Sequence, residues 1–210
     1  MGCGASALTR PDVWDVPDDV EKVLVLESWK EARTKPGFFN IGHKINGGLL
    51  QKAAGLERFF GGKALADVDS ENGEERVREH GRQMRETLER LLDAWRTGGD
   101  RRLARLAHAL GAEHAALIRP AAAFESRSWA LLPAIVCDAL APFLHDDEPG
   151  RRAVEDTLTA WWRFSEYVLD LMQAGYCRQL ALEQRRYSAQ TNAQWDLLVV
   201  HECADPSPPT

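Results

Sequence analysis

Two histidines carry the chemistry this chain could perform. His80 falls on a helical stripe with Val77, Met84, Leu88, Leu91 and Trp95, and His114 on a second stripe with Leu103, Leu106, Leu110 and Leu117. On a wheel of 100° per residue, His114 lies within about 40° of its leucines, whereas His108 points roughly 150° away, so His114 is expected in the core and His108 in solvent. A single core-facing histidine is usually a structural residue whose ring is hydrogen-bonded. Two of them, 34 residues apart on different apolar stripes, suggest a pair of metal ligands. Imidazole is a common axial ligand of haem iron, and the core of a helical bundle can hold such a cofactor. A ligating imidazole normally has its other ring N–H held by an acceptor. For His114 the natural acceptor is the carbonyl one turn back, at Leu110.

The elements that must position these residues are helices. From Asp18 to Tyr176 apolar residues recur at helical intervals, without sustained alternation and without tandem repeats. A third stripe comprises Val154, Leu158, Trp161, Ser165, Val168, Leu169 and Met172, backed by Trp162, Phe164 and Tyr167. Gly61-Gly62, Gly98-Gly99, Pro120 and the Asp146 to Gly150 turn separate the stripes, so the pattern predicts an all-α domain of about seven helices. The 210 residues suit one such domain with extensions at both ends: an N-terminal arm over 1–17, a domain over 18–176 and a tail over 177–210. In the tail, the polar stretch Gln184 to Gln194 precedes the apolar cluster Trp195 to Val200, and the prolines after Ala204 predict disorder.

Composition narrows the function. With 44% hydrophobic and 28% charged residues the chain can build a core, and 26 basic against 32 acidic residues give a net charge of −6, which offers nucleic acid no basic footprint. The longest apolar run, Leu131 to Leu144, contains Asp138 and is too short to span a bilayer. Cys3, Cys137, Cys177 and Cys203 form no C-x-x-C pair, which leaves zinc ribbons, thioredoxin-type redox and covalent haem attachment without support. No apolar signal core precedes the domain, so free thiols in a reducing cytosol are expected, with a Cys177–Cys203 bridge left open. Cys137 is expected to be an inert buried thiol. His43 and His145 sit in polar or turn contexts and are expected to be solvated.

The opening Met-Gly2-Cys3-Gly4-Ala5-Ser6 fits the N-myristoylation pattern, with Cys3 placed for palmitoylation. One myristoyl chain anchors only marginally, and residues 7–22 set Arg10 and Lys22 against Asp12, Asp15, Asp18, Asp19 and Glu21, so no basic patch assists. Membrane attachment would therefore need both Gly2 and Cys3 acylated; the alternative is an unmodified, flexible start.

The ordered motifs resemble the globin family over roughly Asp18 to Tyr176. His80-Gly81-Arg82-Gln83-Met84 resembles the distal segment of the E helix. Leu56-Glu57-Arg58-Phe59-Phe60 resembles the bend where a phenylalanine packs on haem, with Phe59 and His80 21 residues apart. Leu110-Gly111-Ala112-Glu113-His114 is similar to the proximal end of the F helix in neuroglobin-like members. Ser28-Trp29, Phe124 and the Trp161 to Tyr176 segment are similar to the first, G and H helices. The Met-Gly-Cys start adds a likeness to globin X. The chain departs from the pattern in an enlarged turn around Thr97 to Arg102 and in a helix B segment, Asn46-Gly47-Gly48, poor in helix formers.

This resemblance implies a three-over-three helical sandwich binding haem b, with His114 as proximal and His80 as distal iron ligand. Phe59, Met84, Leu110 and Ile45 would line the haem, Ile45 from helix B. It further implies six-coordinate iron, reversible binding of O2, CO or NO, and a redox or signalling role with a partner protein. Nitrite reduction or NO dioxygenation would be side activities, exercised at the cytoplasmic face of the plasma membrane. An oxygen carrier with open iron, or a haem-based sensor, is the alternative.

Overall fold

The computed structural model describes residues 15–52, 71–117, 129–144 and 151–202, and among them there are α-helices and one 3-10 turn but no strand. The helices are α1 (Asp19–Ala32), α2 (Ile41–Lys52), α3 (Glu71–Leu117), α4 (Leu132–Leu144) and α5 (Arg151–Glu202). The chain is all-α. Gly2, Cys3, Phe59, Gly61, Gly62, Pro120, Phe124, His145 and Cys203 lie outside the described residues.

Each boundary has a local cause. Asp18 caps α1: its side chain accepts from the Glu21 N–H at 2.9 Å, and Glu21 accepts from the Asp18 N–H at 2.8 Å, a reciprocal capping box. Gly37, at φ 78°, opens the 3-10 turn Phe38–Asn40 that feeds α2. α2 is helical despite Asn46-Gly47-Gly48 because tertiary contacts outweigh propensity there: Ile41, Ile45 and Asn46 are buried, and Gly48 packs beside the Ile135 side chain.

Gly98-Gly99, expected to end one helix and start another, does so: α3 consists of two helical arms joined by a sharp break at this pair. Gly99 takes φ 62° and ψ −166°, a conformation essentially reserved for glycine. Across the break, Trp95 Nε1 donates to Asp100 Oδ1 at 2.6 Å and Arg102 donates to Thr97 Oγ1 at 3.0 Å. With α3 counted once there are five α-helices among the described residues, and with its two arms counted separately six, against about seven expected; the other breakers fall outside the described residues.

α5 packs along α3, α4 and α1, and α2 packs on α3 and α4. The deepest large side chains are Trp95, Trp161 and Phe164, each at most 1% exposed, with Trp95 stacked on Phe164 at 4.9 Å. Trp29 meets Phe38 edge-on at 4.8 Å, and Trp161 Nε1 donates to Ser28 Oγ at 3.0 Å, joining α1 to α5. The third stripe is buried as expected at Trp161, Ser165, Val168, Leu169 and Met172, with Phe164 and Tyr167 beside it. Trp162 differs: it is 39% exposed, being on the far side of α5.

α5 continues without interruption past Tyr176 and through the polar stretch 184–194 to Glu202. The 26 residues from Cys177 to Glu202 thus span about 38 Å along one axis, and the proposed partner of Cys177, Cys203, lies outside the described residues.

Candidate functional site

Two glycine crossings draw the helices together around the histidines. Gly42 of α2 lies against the backbone of α3 at Gly81, where a Cβ would also come within 2.9 Å of the Arg85 nitrogen. Gly111 of α3 lies against the Met172 backbone of α5, and Gly175 against the His108 backbone, where a Cβ would meet Met172 Cα at 2.9 Å and His108 C at 2.8 Å. At both places helix axes approach more closely than any side chain would allow.

These crossings explain where the second stripe differs from expectation. The face of α3 that meets α5 is Leu103, Ala107, Gly111 and Ala115, a four-residue ridge made mostly of small side chains. Leu110 is buried, while Leu106 and His114 are half-buried on the flank of that ridge. His108, expected in solvent, is half-buried, because Gly175 brings α5 directly onto its backbone.

His114 is held as its helix register predicts: Nδ1 lies 2.8 Å from the Leu110 carbonyl oxygen. A carbonyl only accepts, so Nδ1 carries the proton and, in the neutral ring, the lone pair resides on Nε2. The Trp129 ring lies beside it at 5.9 Å between centroids, and Tyr176 stands 6.3 Å beyond Trp129.

His80 is held from another helix. Its Nδ1 lies 2.9 Å from Asn46 Oδ1, and Asn46 Nδ2 donates to the Val77 carbonyl at 3.0 Å. The Val77 bond fixes which way the amide faces, so Oδ1 must accept and His80 Nδ1 must donate. His80 is therefore the same tautomer as His114. Burial, with a smaller contribution from His114, lowers its pKa to about 4 and keeps the ring neutral.

That electrostatic influence reports proximity. In a straight helix the 34 residues between the two histidines would separate them by about 51 Å, several screening lengths. The break at Gly99 interrupts that straight course, since φ 62° and ψ −166° are not helical.

Of the other expected lining residues, Met84 is partly buried against the core, Leu110 is 7% exposed, and Ile45 is 2% exposed within the apolar core. Asn46, the residue after Ile45, hydrogen-bonds His80 and is 1% exposed; the sequence did not single it out. Its only signal was a poor helix former inside a helical stretch. His43 was expected to be solvated; instead it packs on Gly81 with Nδ1 buried and without a hydrogen-bond partner, as is Arg85 Nε. The tight crossing buries both.

Cys137 fits an inert thiol: Sγ is 3.5 Å from the Leu158 carbonyl, and burial, with help from Asp138, pushes its pKa up to about 11. A hollow of about 530 Å³ beside the kink is walled mainly by Glu86, Glu89, Arg90, Asp93 and Arg102 and includes neither His80 nor His114. Among the described residues no group of three or more His, Cys, Asp or Glu is placed to hold a metal ion, and no helix is long and apolar enough to cross a membrane. Comparison with family models, with curated proteins and with solved structures finds no match for this chain.

Proposed function

We propose that the chain is a globin-type haem protein with a three-over-three helical sandwich, in which His114 and His80 hold the iron from opposite faces. The observation that carries this reading is the matched pair of imidazoles. Each donates from Nδ1, His80 to Asn46 and His114 to the Leu110 carbonyl, and so each leaves Nε2 free of that bond, at positions 34 residues apart. Two histidines supply two donors, and a tetrapyrrole supplies the four equatorial nitrogens that the rest of the coordination sphere needs.

When bound, haem b supplies a one-electron couple and a site for O2, CO or NO. The residues of the chain determine its use. His114, fixed by Leu110, retains the iron, and Met84, Leu110, Ile45 and Phe59 supply apolar surface beside it. His80 competes with external ligands, so apparent affinity is the intrinsic affinity multiplied by the fraction of sites it leaves open. Retaining both imidazoles in both oxidation states favours electron exchange with a partner protein or a signalling role, and nitrite reduction or NO dioxygenation would proceed only as His80 lets go. The same reading places the protein at the cytoplasmic face of the plasma membrane through acylated Gly2 and Cys3.

An absorption spectrum tests the core of this reading. Deoxygenated ferrous protein should show the sharp, split visible band of six-coordinate iron; a single broad band refutes the His80 ligand and favours an open-iron carrier. His114→Ala should lose haem, and unchanged retention refutes the proximal assignment. Membrane fractionation of Gly2→Ala from eukaryotic cells tests the anchor, with unchanged partitioning as the refuting result.

A further inference from the structure

The two histidines are oriented by different means. His114 leans on the carbonyl of its own helix four residues back, a bond that survives any rearrangement that leaves the helix intact. His80 leans on Asn46, which belongs to α2. Asn46 grips α3 at two points on one face, the Val77 carbonyl and, three residues on, the His80 ring. It is 1% exposed, so bulk water does not compete for either bond. The span it bridges is set by the backbone contact of Gly42 with Gly81, one turn before Asn46 on α2 and one residue after His80 on α3.

We propose that Asn46 is the positioning residue of His80: it holds the ring as the Nδ1–H tautomer, turns Nε2 away from α2, and thereby sets how firmly His80 occupies the sixth position on iron. This rests on the haem reading above. Orientation of a ligand by an outer hydrogen bond strengthens it as a donor and fixes its geometry. Because that bond comes from α2, distal ligation depends on α2–α3 packing, whereas proximal ligation does not.

The test has a readout that needs no haem. In the full-length chain prepared without haem, long-range ¹H–¹⁵N correlation spectra of the His80 ring should show one Nδ1–H tautomer. In Asn46→Leu the ring should become a mixture of tautomers, and in the haem-loaded protein apparent CO affinity should rise about tenfold as open sites increase. Ile135→Val, which trims the α4 side chain packed beside Gly48, should change neither reading. An Nε2–H tautomer in the wild-type chain overturns the proposal, and that measurement stands even where Asn46→Leu fails to fold. Equal effects from Ile135→Val overturn it too, since general loosening would then suffice. A six-coordinate spectrum with unchanged tautomer and CO affinity in Asn46→Leu overturns the proposal and leaves the haem reading intact. A chain that takes up no haem overturns the haem reading, and with it the role of Asn46 at the sixth position.

Discussion

Adding one methyl group to α2 should have opposite effects at two glycines five residues apart. At Gly42 a Cβ would overlap the Gly81 carbonyl and stand 2.9 Å from the Arg85 nitrogen, with backbone on the far side and no flexible side chain to yield. Restoring ordinary contact requires α2 and α3 to part by something on the order of an ångström, and overpacking of this kind costs about 1–3 kcal/mol or more. Alanine recovers up to about 1 kcal/mol through its better helix propensity, so Gly42→Ala should lose about 2 kcal/mol net. At Gly47, by contrast, no described atom lies within 4 Å of the built Cβ, and the same substitution should gain roughly 0.5–1 kcal/mol. For a chain of this size these changes correspond to a melting temperature about 4–8 °C lower for Gly42→Ala and about 1–4 °C higher for Gly47→Ala. Paired thermal and urea melts of the two variants measure the difference. If Gly42→Ala is as stable as Gly47→Ala, the helices do not touch backbone to backbone, and the account of how Asn46 reaches His80 fails with it.

Other expectations follow from the same structure. Gly99→Ala should cost about 1–3 kcal/mol, because φ 62° with ψ −166° strains any side chain, and should reduce haem uptake by disturbing the break in α3; a gain in stability contradicts the kink. Asp100→Ala leaves the fully buried Trp95 without its 2.6 Å acceptor and should lower the urea midpoint by the equivalent of about 1–3 kcal/mol. Haem-free protein should weaken as pH falls from about 6.5 to about 4. The unfolded His80 takes up its proton at the ordinary value while the folded ring resists to about 4, so protonation favours unfolding by up to about 3 kcal/mol over that window. The slope should flatten in His80→Leu; an unchanged slope assigns the acid sensitivity to other groups.

The helical character of the chain, the break near Gly98-Gly99 and the Leu110 acceptor of His114 were all legible, because each depends on residues within a few positions of one another. The stripe of α5 was legible for the same reason. Less visible were the surfaces made by what is absent. Gly42, Gly81, Gly111 and Gly175 carry no apolar side chain and so leave no mark on a hydrophobic pattern, yet they decide how closely the helices approach. His43 and His108 were misjudged as solvated because those crossings bury them.

By itself the sequence determined that the protein is helical and that two histidines belong to apolar faces, since periodicity and capping are local properties of the chain. Only the tertiary structure decided that Asn46 hydrogen-bonds His80. Adjacent helical residues point about 100° apart, and which of them faces a partner depends on where that partner lies. The same holds for the crossings at Gly42 and Gly111, whose closeness depends on which backbone the opposite helix presents.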